Sequence, residues 1–143
     1  MTKPDQDDQA KLERVIKYLN DTSDLGIVLK ADSPARIKAF VDASYGVHDD
    51  GKSHTGLMVS IGAGPIITKS SKQKIVTKSS TEAELVSGLS DEASEALGNR
   101  DFLIAQGESN EPAILYQDNM STISMISNES SKSSRTRHIN IRY

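Results

Sequence analysis

Three carboxylates stand where chemistry could gather. Asp42 closes the apolar run of residues 37–41, Asp118 closes a second run over 113–117, and Glu84 lies in the first turn of the longest expected helix. If the two runs form adjacent parallel strands, their C-terminal ends bring Asp42 and Asp118 together. A helix packed on that sheet adds Glu84 from one side. Three carboxylates at one point repel, so the cluster is stable only with partial protonation or bound cations. Oxygen ligands without His or Cys select Mg²⁺ or Mn²⁺ over zinc. Two such ions about 4 Å apart can activate a water and stabilise the leaving oxygen of a phosphodiester. Taken singly, each residue has a plainer explanation. Strands often end in Asp because the chain turns, and helices start with Glu to complement the dipole. The combination in strand–helix–strand order is more specific than any member.

The elements that must position these groups follow from periodicity. Residues 1–8 are polar and acidic and read as disordered. Leu12, Val15, Ile16 and Leu19 form one stripe of an amphipathic helix over 9–20. Residues 26–29 suggest a short strand. The first central strand spans 37–42, the second 55–61 and the third 66–70, with a turn at 62–65. The short spacing predicts an antiparallel meander. Residues 72–78 are basic and less regular. Ser79 with Glu82, or Thr81 with Glu84, satisfies a capping box. From there one stripe runs through Leu85, Leu89, Ala93, Ala96, Leu97, Phe102 and Leu103. Gly88 and Gly98 weaken that helix, so close packing is expected at both. Residues 113–118 form the fourth strand, and Asn119 caps a helix carrying Ile123, Met125 and Ile126.

Composition bounds the rest. The chain has 143 residues, 36% hydrophobic and 4% aromatic, so one domain with an aliphatic core is expected. It has no cysteine, which excludes disulfide scaffolds, thiolate zinc sites and Cys nucleophiles. No apolar stretch approaches the roughly 20 residues that cross a bilayer, and the N-terminus lacks a signal-peptide core. An intracellular, cytoplasmic protein is expected. The net charge is −3, yet residues 69–78 carry four lysines and no acid, and residues 130–143 carry Lys132, Arg135, Arg137 and Arg142 without an acid. Two basic segments on an acidic chain are either a phosphate-tracking surface or solvated loops. His48 and His54 flank a polar loop and read as solvent-exposed.

Six blocks then appear in order: Val41-Asp42-Ala43-Ser44, Ser53-His54-Thr55-Gly56, Ser70-Ser71-Lys72-Gln73, Ser79-Ser80-Thr81-Glu82-Ala83-Glu84-Leu85, Leu115-Tyr116-Gln117-Asp118-Asn119, and residues 134–143 around Arg137-His138-Ile139-Asn140. Over residues 10–143 the chain resembles the ribonuclease H domain of copia-type LTR retrotransposon polyproteins. The resemblance implies an α/β fold: a ribonuclease H-like mixed sheet, an antiparallel three-strand meander plus a parallel fourth strand, with flanking helices and a truncated C-terminus. Residues 1–33 resemble the tail of the preceding reverse-transcriptase segment, leaving 34–143 as the domain itself.

The implied activity is metal-dependent endonucleolytic hydrolysis of RNA in RNA·DNA hybrids during reverse transcription. The alternative is a catalytically silent nucleic-acid-binding or structural remnant. Asp42 and Asp118 match metal ligands of the family. For the helix, family ligands stand directly before an apolar residue, as Glu84 does before Leu85. Glu82 and Glu84 point about 200° apart on an ideal helix, so only one faces the metals, and Glu82 is assigned to capping. Ala43, Ser44, Ser80, Thr81, Asn119, Lys72, Arg137 and His138 are the expected nucleic-acid contacts. The cofactor is Mg²⁺ or Mn²⁺, with no small-molecule cofactor. A fourth carboxylate normally follows a fifth strand. Neither has a counterpart before Tyr143, which leaves Asn140 or a later residue as the fourth ligand, an incomplete two-ion site and weak cleavage. The implied partners are the hybrid and the reverse-transcriptase domain, in a virus-like particle and not at a membrane.

Overall fold

The computed structural model describes residues 3–87, 92–108 and 111–127. Its order is α1 (Gln6–Asp21), β1 (Lys30–Ala31), β2 (Lys38–Ser44), β3 (His54–Ser60), β4 (Gly62–Ala63), β5 (Ile67–Lys72), α2 (Ser80–Val86), α3 (Glu92–Ala105), β6 (Ile114–Tyr116) and α4 (Met120–Ser127).

Four strands form one sheet in the order β5-β3-β2-β6. β2 pairs antiparallel with β3, and β3 antiparallel with β5. β6 runs parallel to β2, with Phe40 opposite Tyr116. This is the expected mixed sheet with flanking helices, consistent with a ribonuclease H-like fold. Strand alternation sorts the side chains. Ala39 and Val41 of β2 and Leu57 and Val59 of β3 are buried with Ile37 and with Ala96 of α3. On the opposite face Phe40 and Tyr116 stack, ring centroids 4.6 Å apart.

Several boundaries differ from those read in the sequence. Asp42 lies inside β2 rather than at its end, because pairing with β3 continues to Ser44. β5 extends to Lys72, since His54 continues the ladder opposite it. β6 keeps only three residues, so Asp118 follows the strand by two. Residues 26–29 are not a strand. The pairing falls at Lys30–Ala31, against the segment expected to be a turn. Glycine makes that approach possible: a Cβ on Gly62 would lie 2.2 Å from the Lys30 carbonyl oxygen.

The helices differ as well. α1 starts at Gln6, within the stretch expected to be disordered, because Asp5 and Asp8 close a reciprocal capping box. No residue of α1 is buried. The stripe expected to run on from Leu85 is described as two helices, α2 and α3, with Leu89 and Gly88 outside the described residues. In α3, Ala96 and Leu103 meet the core while Leu97 and Phe102 are exposed. Gly98 is not closely packed, since a Cβ there would meet nothing within 4 Å. Among the described residues no helix is long and apolar enough to cross a membrane.

Candidate metal centre

The parallel register places Phe40 beside Tyr116. Two residues further along each chain stand Asp42 and Asp118, both exposed. Glu84 arrives from α2, which packs on β2 and starts at its cap residue Ser79, whose hydroxyl accepts from the Glu82 amide at 3.1 Å. One carboxylate oxygen from each of Asp42, Glu84 and Asp118 lies within 4.8 Å of the others. Glu82 belongs elsewhere: its carboxylate accepts from the Lys78 amide at 2.9 Å. The expected capping box therefore forms only in part, with the return bond one residue earlier than Ser79.

Glu84 is the buried member of the three. Its Oε1 accepts from the Ala43 amide at 3.2 Å and its Oε2 from the Gln117 amide group at 2.9 Å. Burial raises its pKa above the usual carboxylate value, the two hydrogen bonds oppose the rise, and the charges of Asp42 and Asp118 add to it. A cation at the cluster relieves this repulsion, and three hard oxygen donors suit Mg²⁺ or Mn²⁺. The residues present thus fit such an ion.

Sequence reasoning found the Asn119 cap but missed Gln117 and Thr122, which complete the network holding this arrangement. Gln117 donates to Glu84 and accepts from the Asn119 amide at 2.9 Å. Asn119 caps α4 by accepting from the Thr122 amide at 3.1 Å. The Thr122 hydroxyl, fully buried, donates to the Thr81 carbonyl at 3.2 Å. The network closes from α2 through the β6–α4 turn back to α2, fixing Glu84 against Asp118. A polar side chain between an apolar strand and Asp118 was the available signal for Gln117. Thr122 had none.

The expected nucleic-acid contacts divide. Ser44 and Ser80 are exposed, two residues after Asp42 on β2 and four residues before Glu84 on α2. The Ala43 amide is taken by Glu84, and the Asn119 side-chain oxygen serves as a helix cap. Lys72 is paired with Asp50 at 2.8 Å and Lys69 with the buried Glu92 at 3.1 Å, so the segment without acids in sequence meets acids in space. Arg137, His138 and Asn140 lie outside the described residues. His48 and His54 are not simply exposed. Both are half-buried, and His48 Nε2 lies 2.9 Å from His54 Nδ1.

The chain is similar to retrovirus-related Pol polyproteins from transposons. It is 36% identical over 145 residues to that from transposon RE2 of Arabidopsis thaliana, covering 100% of this chain and 10% of the relative. It is 34% identical to that from RE1 of the same plant over the same span. Against TNT 1-94 of Nicotiana tabacum the identity is 31% over 130 residues, 90% of this chain and 10% of the relative. The chain spans about a tenth of the length of the curated relatives it matches. No family model matches the chain, and no solved structure does.

Proposed function

We propose that this chain is the ribonuclease H segment of a copia-type retrotransposon Pol polyprotein and hydrolyses the RNA strand of RNA·DNA hybrids. The observation that carries the reading is the convergence of Asp42, Glu84 and Asp118 within 4.8 Å at one end of a mixed sheet, in a chain whose homologues are transposon Pol polyproteins. Asp42, Glu84 and Asp118 would hold Mg²⁺ or Mn²⁺, which would supply activation of the attacking water and stabilisation of the leaving oxygen. Water adds to phosphorus as the bond to the 3′ oxygen breaks, leaving a 3′-hydroxyl and a 5′-phosphate.

The protein's own part is placement. Glu84, held by Ala43 and Gln117, sets the buried wall of the site. Exposed Asp42 and Asp118 face the substrate side. Exposed Ser44 and Ser80, on the same elements as Asp42 and Glu84, supply backbone and 2′-hydroxyl contacts in this reading, so cleavage is largely independent of sequence. The residues before 34 belong in this reading to the reverse-transcriptase side of the same polyprotein, and the product acts in the cytoplasmic particle.

The test is cleavage of a labelled RNA·DNA hybrid with Mg²⁺ against EDTA, beside Asp118→Asn. Cleavage of the RNA strand that requires Mg²⁺ and is lost in the variant is the expected result. Salt-dependent hybrid binding without any cleavage by the chain or by a longer polyprotein segment overturns the catalytic reading in favour of a binding remnant.

A further inference from the structure

A pair of ligating side chains outside the acidic triad meets where the loop after β2 joins β3; His54 shares the open face of the sheet with Asp42, two residues before Gly56, the cross-strand partner of Asp42. The loop that carries His48 is pinned. Its amide donates to the Lys52 carbonyl at 3.2 Å, and the Gly51 amide donates to the His48 carbonyl at 2.8 Å. Gly46 and Gly51 supply the two positive φ angles, 61° and 74°. The Gly46 amide donates to the Ser53 hydroxyl at 3.1 Å, and that buried hydroxyl bonds Thr77 at 2.9 Å. His54 is fixed by the β-ladder, opposite Ser44 on one side and Lys72 on the other. The two imidazoles therefore meet, 2.9 Å between nitrogens, on two braced pieces of backbone. The second nitrogen of His54, Nε2, lies 2.7 Å from the Ser70 hydroxyl.

We propose that His48 and His54 form a two-imidazole site for a borderline divalent transition ion, of the class of Zn²⁺, Ni²⁺ and Cu²⁺. With His54 Nε2–H donating to Ser70, its Nδ1 presents a lone pair toward His48. An ion about 2.0–2.1 Å from each nitrogen at a tetrahedral angle needs them about 3.3 Å apart. The observed pair opens to this by a few tenths of an ångström. On binding, the His48 proton moves from Nε2 to Nδ1 and His54 keeps its own on Nε2, so no net proton is lost. Ser70 is the outer partner that orients the His54 ring, the usual companion of a ligating imidazole. Water fills the other positions. Lys72 and Lys52 both pair with Asp50, at 2.8 and 3.4 Å, so that carboxylate offsets one of the two nearby positive charges. Imidazole nitrogen suits these ions and carboxylate oxygen suits Mg²⁺, so the two sites separate metals by ligand softness. The inference is independent of the ribonuclease reading.

The experiment titrates Ni²⁺ and Zn²⁺ into the purified chain at neutral pH, with excess Mg²⁺ present to occupy the acids. Calorimetry gives the stoichiometry, and Ni²⁺ broadening of imidazole C–H resonances gives the location. One ion per chain is expected, with the His48 and His54 resonances broadened. Ser70→Ala should weaken binding about tenfold. His48→Gln, in the loop and outside the sheet, should abolish the one-per-chain event, and His54→Gln should do the same. Equal binding by the wild type and His48→Gln overturns the proposal. So does binding lost only in Asp42→Asn, which would place the ion at the acids.

Discussion

Like charge at Asp42, Glu84 and Asp118 makes the unliganded cluster unfavourable and the liganded one favourable, so one substitution should act in opposite directions on the two states. At about 5 Å and water-like screening, one such repulsion costs about 1 kcal/mol. Asp42→Asn should therefore raise the melting temperature of the ion-free chain by about 2–4 °C and remove the stabilisation that Mn²⁺ gives the wild type. Thermal melts with EDTA and with Mn²⁺ check both arms. An ion-free melt lowered by the variant would contradict the repulsion. The pH dependence follows from Glu84, whose raised pKa means protons compete with the ion in the acid range. Without an ion, a raised carboxylate pKa costs stability above that pKa, and the cost fades as pH falls through it. Mn²⁺ affinity should rise with pH through the Glu84 titration and then level. Gln117→Ala removes a hydrogen bond that favours the charged carboxylate, so this rise should move to higher pH. An unmoved profile would show that Gln117 does not set the Glu84 charge.

At the scale of elements, the site depends on where two short helices begin. Ser79 caps α2 five residues before Glu84, and Asn119 caps α4 directly after Asp118. Ser79→Ala should cost about 1 kcal/mol of stability, as loss of a cap does. It should also weaken Mn²⁺ binding, because Glu84 rides on the first turns of α2. Denaturant unfolding with an unchanged slope, paired with a Mn²⁺ titration, measures both. Stability lost with metal affinity intact would mean that the Ala43 and Gln117 contacts alone position Glu84. The two-residue pairing of β1 with β4 is a weaker joint, and its close approach depends on glycine at position 62.

At the scale of the whole molecule, two stretches among the described residues leave large apolar side chains exposed. Leu12, Val15, Ile16 and Leu19 of α1 are each more than half exposed, and Leu25, Ile27, Val28 and Leu29 are more exposed still. Exposed apolar side chains in this number promote association. Sedimentation should show self-association that grows with concentration. Ile16→Glu should suppress it without lowering the melting temperature, since no residue of α1 is buried. A variant that associates as the wild type does would place the contact elsewhere on the chain.

The sequence by itself determined the elements whose cause is local. The stripe of α1, the alternation of β2 and β3, and the Ser79 and Asn119 caps are set by neighbours within a few residues, and each is present. The three acids were legible because each sits in or just after an element that the local pattern identifies. Their convergence required the parallel pairing of β6 with β2, which joins residues more than seventy positions apart. Only tertiary structure could decide the rest. A run of lysines without acids reads as basic, but Lys69 meets Glu92 and Lys72 meets Asp50 once the chain folds. Two histidines flanking a loop read as solvated until a hairpin brings their rings together. Gln117 and Thr122 have no periodicity of their own, and their part comes from a network closed across α2 and the β6–α4 turn. Hydrophobic period is a property of neighbours along the chain, whereas charge pairing and ligand geometry are properties of neighbours in space.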